Sequence, residues 1–115
     1  MSKEKALTLP ILWPQDKIAA FCDQWAVAEL SLFGSILRDD FHNHSDVDLL
    51  VAFTLEANWS LFDHIQMQQE LAKILQRNVD LVSKRAIERS QNPIRRREIL
   101  STAQVIYTRG AYVSK

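Results

Sequence analysis

Cysteine is all but missing from this chain: Cys22 stands alone. One thiol cannot close an intrachain disulfide or build a cysteine-based metal site. Excess charge of either sign is missing as well, because 14 Lys and Arg are balanced by 14 Asp and Glu. Without a cationic surplus, sequence-blind binding to nucleic acid loses its main driving force, and no direct nucleic-acid partner is expected. No apolar run is long enough to span a membrane. Lys3 and Lys5 precede an apolar stretch that Pro10 breaks, which makes a poor secretory signal. Internal repeats and low-complexity tracts are absent too. The expected compartment is the cytoplasm.

What is present suits one small domain. The 115 residues are 47% hydrophobic, enough for a single core and too apolar for wholesale disorder. The most informative stretch is 29–53, ELSLF-GS-ILRDDFHNHS-DVD-LLVAF. Leu30 and Leu32 alternate with Glu29 and Ser31, as in a half-buried strand. Val47, Leu49, Val51 and Phe53 alternate in the same way. Side chains two apart on a strand share a face, so Asp46 and Asp48 project together. Adjacent carboxylates repel and are costly to bury unpaired. Hard oxygen ligands on a rigid strand suit Mg²⁺, which keeps waters and shares its remaining sites with substrate phosphates. Gly34 and Ser35 form the other half. A glycine leaving a strand lets a polyanion approach the backbone, and turn amides with a serine hydroxyl make a phosphate cradle.

The rest of the chain is placed around this stretch. Pro14 suits a first helical position, and Ile18, Phe21, Cys22 and Trp25 follow the spacing of an amphipathic helix, with Cys22 a structural thiol on its buried stripe. Ser60 and Asp63 have capping-box spacing, opening a helix expected to reach about residue 77, with Asn78 as terminator. Its apolar stripe reads Phe62, Ile65, Leu71, Ile74 and Leu75; His64, Gln66, Gln68, Gln69 and Lys73 fall on the wet side. Residues 79–82 read as a third strand, and Asp80 is a lone acid in that apolar run. If this strand pairs beside the second, Asp80 joins Asp46 and Asp48, and three carboxylates can place two divalent ions. Helical pattern resumes at 83, breaks at Pro93 and returns over 94–102. Residues 104–108 alternate like an edge strand. Arg85, Arg89 and Arg95–Arg97 form the dense basic stretch, either a grip for an acidic partner, RNA or nucleotide, or a solvated face. His42 and His44 read as exposed loop residues, and Ser45 as a local hydrogen-bond partner orienting Asp46.

Gly-Ser, ten residues, then Asp-x-Asp, each half attached to a strand, resembles the signature of the DNA polymerase beta nucleotidyltransferase superfamily. The wording LFGSxxR…SDxDLLV is similar to its minimal branch, the MNT proteins, over residues 18–108. The family has a basic residue directly after Gly-Ser and an Arg-Gly pair beyond it. This chain has Ile36, keeps Arg38, and has Asp39 in place of the glycine. Arg38 reaches back to bound phosphates or pairs with Asp39 or Asp40. The resemblance implies an α+β fold with a mixed sheet of three to four strands flanked by helices. It implies a domain over 14–108, with 1–13 a lead-in and 109–115 a tail. It implies ATP as substrate and two Mg²⁺ ions held by Asp46, Asp48 and Asp80, with Gly34, Ser35 and Arg38 on the nucleotide. In that scheme Asp80 takes the acceptor's proton. A chain this short has no evident room for a second, substrate-binding domain, so the acceptor is expected on another macromolecule. The family resemblance implies a cognate HEPN-domain ribonuclease toxin, silenced by AMP placed on a tyrosine hydroxyl, with a toxin–antitoxin hetero-oligomer as a consequence. A non-catalytic antitoxin that acts by binding alone is the alternative.

Overall fold

The computed structural model describes residues 11–39, 41–42 and 44–109. Four strands and four helices follow in the order α1 (Gln15–Gln24), β1 (Val27–Phe33), a 3₁₀ turn (Gly34–Leu37), β2 (Val47–Phe53), α2 (Leu61–Leu75), β3 (Val79–Ser83), α3 (Lys84–Glu88), α4 (Pro93–Thr102) and β4 (Gln104–Thr108). The strands form one mixed sheet in the order β3-β2-β1-β4. β1 runs antiparallel to β2 and β4, and β2 runs parallel to β3, with α2 as the crossover that a parallel pair requires.

Helices cover both sheet faces, and each face has its own cluster. On one side Ile18, Phe21 and Cys22 of α1 and Met67, Leu71 and Leu75 of α2 pack on Leu30, Leu32, Val47, Leu49, Val51 and Leu81. On the other, Ile87 of α3 and Ile99 of α4 pack on Phe33 and Leu50. β1 is therefore not half-buried as its alternation suggests: Ser31, on the smaller cluster's face, is only 3% exposed. Burial pushes the Cys22 thiol up to about 12, which leaves it protonated and inert at neutral pH, in keeping with a structural role.

The helix α2 departs from its sequence pattern. The capping box is present, with Ser60 Oγ accepting from the Asp63 amide and the Asp63 carboxylate accepting from the Ser60 amide. Yet Phe62 is 81% exposed and Ile65 44%, while Met67 is fully buried. The reason is the sheet edge. β3 is an outer strand, and its free Leu81 groups need partners. His64 Nε2 donates to the Leu81 carbonyl at 2.7 Å, and Gln68 Oε1 accepts from the Leu81 amide at 2.8 Å. Two residues that read as solvent-facing thus seal an edge, and the stripe rotates with them. The helix also stops earlier than expected: Gln76, in the left-handed region at φ +57°, is the C-cap rather than Asn78. We predict that Leu71→Ala lowers unfolding free energy by about 2–5 kcal/mol in denaturant titration. Phe62→Ala should move it by less than about 0.5 kcal/mol, although periodicity alone puts both residues on one stripe.

Within the expected lead-in and tail, the described residues make specific contacts. Ile11 and Trp13 pack against the large cluster. Pro14 is the N-cap of α1 and not its first helical residue, its carbonyl accepting from Ile18. Arg109 is a clasp: its guanidinium donates to the Val27 and Cys22 carbonyls and pairs with Asp23 at 3.5 Å. The remainder of both expected segments, 1–10 and 110–115, lies outside the described residues. No helix among the described residues is long and apolar enough to cross a membrane.

Candidate active site

Two parallel strand starts and one strand end meet at a single point of the sheet. β1 ends at Phe33, which stands opposite Asp48 in β2; on the far side Asp48 is in register with Asp80 of the parallel β3. The lone acid of the third strand is therefore lateral neighbour to the second acid of the Asp-x-Asp pair. Both share the sheet face of Leu50 and Val82, where the smaller cluster sits. Asp46 precedes β2 and is exposed, as is Asp80, while Asp48 is half-buried.

Gly34 is what allows β1 to turn back onto Asp48. Its φ is +77°, and a Cβ added there would run into Asp48 Oδ2. The glycine thus serves a left-handed turn and a close backbone approach together. The turn closes with the Arg38 amide donating to the Ser35 carbonyl at 2.9 Å. The Ser35 backbone N–H lies near enough to the Asp48 carboxylate to favour its charged form. The two halves of the motif, ten residues apart in sequence, meet where Gly34 comes up against the Asp48 carboxylate.

The electrostatics converge on Asp48. Burial raises its carboxyl above the usual carboxylate range, and the like charges of Asp80 and Asp46 raise it further. Arg38 and the Ser35 amide pull the other way without reversing it. Arg38 is near enough for its charge to favour the ionised form of Asp48, and Asp39 beside it is exposed; Asp40 lies outside the described residues. Among the described residues, no three Asp, Glu, His or Cys side chains stand close enough to hold a metal ion by themselves. That is compatible with Mg²⁺, which is bound by one or two carboxylates plus substrate phosphates rather than by an all-protein cage. The donor set fits such an ion: hard oxygens only, and a central carboxylate held under like-charge repulsion that a cation would relieve.

The connecting loop, 41–45, differs from expectation. Ser45 does not orient Asp46; its Oγ accepts from the His42 amide at 3.1 Å. His42 and His44 are exposed and brace one another, the His44 amide donating to His42 Nδ1. The sequence reading missed Arg77. Its guanidinium donates to the His42 carbonyl at 2.8 Å and the Ser45 carbonyl at 2.9 Å, and lies 4.7 Å over the Phe41 ring. The signal was weak: a single cation before an acid-bearing strand, with nothing local to say which loop it grips. In the basic stretch, Arg95 and Arg97 are solvated, and Arg96 closes the α3–α4 connection on the Ser90 carbonyl.

Residues 16–106 match the nucleotidyltransferase domain. The protein adenylyltransferase MntA of Thermococcus cleftensis is 36% identical over 66 residues, 57% of this chain and 65% of that protein. The chain spans about 65% of the length of the curated relatives it matches. A toxin–antitoxin crystal structure with AMP-PNP superposes with a TM-score of 0.64 at 21% identity, over 84% of this chain and 75% of that one. A Shewanella oneidensis complex of a tri-AMPylated HEPN toxin with MNT antitoxin superposes with a TM-score of 0.55 at 21% identity, over 82% and 69%.

Proposed function

This chain belongs to the nucleotidyltransferase domain family, and from that premise we propose that it transfers AMP from ATP to a tyrosine hydroxyl of a HEPN-domain toxin, acting as its antitoxin. The observation that carries the reading is the position of Asp48, closely approached by the backbone at Gly34 and flanked by Asp80. Support for the acceptor comes from the relatives: one is named a protein adenylyltransferase, and one structural neighbour is an MNT antitoxin with an AMPylated toxin. The exposed apolar residues Leu55, Leu61 and Phe62 give a partner chain something to cover.

In this proposal the turn after Gly34 and the Ser35 hydroxyl hold the β- and γ-phosphates, and Arg38 adds a cation to the same anion. Asp46 and Asp48 would hold a nucleotide-bound Mg²⁺, and Asp80 would join them in holding a second ion. Bound there, Mg²⁺ would neutralise phosphate charge and make an acceptor hydroxyl easier to ionise. Asp80, exposed at the rim, takes the proton from the attacking hydroxyl. The new bond forms between that oxygen and the α-phosphorus, the bond to the β-phosphate oxygen breaks, and pyrophosphate leaves. Positioning and charge stabilisation do most of this chemistry, so the chain needs no covalent nucleophile of its own.

The test is intact-mass measurement of the chain and its neighbouring gene product after incubation with ATP and Mg²⁺. An adenylyl increment on the partner, absent with Asp48→Asn, is the expected result. Neutralisation that persists in Asp46→Asn and Asp48→Asn with no increment would assign the chain to the binding-only antitoxins instead.

A further inference from the structure

We infer that Arg77 is a positioning residue for the acid site, holding the loop that delivers Asp46; the inference rests on the nucleotidyl-transfer reading. Phe41, His42 and Ser45 lie on the connection between the turn at Gly34–Leu37 and Asp46. Arg77 holds them from outside. One terminal nitrogen bridges two loop carbonyls, those of His42 and Ser45, at 2.8 and 2.9 Å. The flat guanidinium lies over Phe41, whose ring packs against the large cluster. One side chain thus ties Phe41, His42 and Ser45 to the end of α2, in addition to the bonds between His42 and Ser45 themselves, and the next residue is Asp46.

Arg77 is itself well anchored. Its amide donates to the Ala72 carbonyl at the end of α2. The following residue, Asn78, accepts from the Val47 amide at 2.9 Å, which starts the pairing of β2 with β3. Arg77 therefore sits where the Asp80 strand and the Asp46 loop converge, and couples one to the other. Lysine could not replace it: an ammonium is a point charge that does not lie flat on a ring, and its donors lack the fixed fork of guanidinium. A misplacement of about 1 Å at a reacting group is enough to cost about 10²-fold in rate.

The readout is the Mg²⁺ concentration giving half-maximal ATP binding, followed by calorimetry on the full chain without any acceptor. Arg77→Met should raise it at least about 10-fold, the size of effect that outer partners have on metal sites, with thermal unfolding still cooperative. Arg77→Lys should recover less than half of that change on a logarithmic scale. In the double variant Arg77→Met/Asp46→Asn, the arginine change should add almost nothing to the effect of Asp46→Asn, because both act through one carboxylate. Additive effects, or a folded Arg77→Met with the wild-type Mg²⁺ requirement, would overturn the inference. If Arg77→Met does not fold, Phe41→Leu decides: removing the platform should raise the requirement about 2- to 5-fold on the same reasoning, and no change sinks the idea. Loss of the nucleotidyl-transfer reading looks different, since wild-type ATP binding would then be indifferent to both Mg²⁺ and Asp46→Asn.

Discussion

Asp48→Asn is expected to reduce AMP transfer by on the order of 10³-fold or more while making the metal-free protein more stable at neutral pH. Both effects come from one carboxylate. Asparagine keeps the shape, and the bond that closes the turn after Gly34, from the Arg38 amide to the Ser35 carbonyl, does not involve it, so the turn should persist. What is lost is the negative charge beside Asp46 and Asp80. The sign with pH follows from the direction of the shift. Asp48 has its carboxyl raised in the fold by burial and by its two acidic neighbours. The folded state therefore holds that proton more tightly than the unfolded chain does. Stability from this group is complete below the unfolded value, about 3.9 for an aspartate, and is lost as pH rises through the higher folded value. In EDTA, the denaturation midpoint of wild type should fall over that window, and Asp48→Asn should fall less. Its advantage should be present at pH 7 and gone at pH 3. Added Mg²⁺ and ATP should then stabilise wild type far more than the variant, by mass action on the native state. A variant less stable than wild type at pH 7 without metal would mean that Asp48 is satisfied by its neighbours and not repelled by them.

Local rules read the strands well and the helix faces poorly. Alternation and turn residues located all four strands, because sheet pairing tolerates few other readings of a run such as DVDLLVAF. The register that sets Asp48 beside Asp80 was not local information. It required β3 to pair parallel to β2, and only the crossover through α2 makes that possible. The misreading of α2 has the same origin. Helical periodicity marks Phe62 and Ile65 as buried, but what decides their exposure is the free edge of β3, which recruits His64 and Gln68. Arg77 was invisible for a related reason: its partners are backbone carbonyls, which carry no side-chain signature in the sequence. Gly34 is the opposite case. A glycine at the end of an apolar run, followed by serine, announces a special backbone, and the φ of +77° bears that out.

Gly34→Ala should therefore be the most damaging single-methyl change available in this chain. Two costs add. An L-residue in the left-handed region loses about 1–2 kcal/mol relative to glycine. The new Cβ also overlaps the Asp48 carboxylate, with Oδ2 and then the carboxyl carbon in its path. Backbone and carboxylate cannot both stay where they are. Because the turn is tied into β1 at Phe33 and the sheet on both sides, the softer element is the Asp48 side chain, which has rotamers to escape into. Escape takes it away from the Ser35 backbone and moves it out of line with Asp80. The expected outcome is a folded protein destabilised by roughly 2–3 kcal/mol, with AMP transfer down by on the order of 10²-fold or more, as for a misplaced reacting group. Adding Asp48→Ala to Gly34→Ala removes the obstacle but not the strained φ. The double variant should recover the overlap part of the stability loss and none of the activity. Equal stability of Gly34→Ala and the double variant would show that the glycine is required for its φ alone. Unimpaired transfer by Gly34→Ala would remove this turn from the catalytic apparatus.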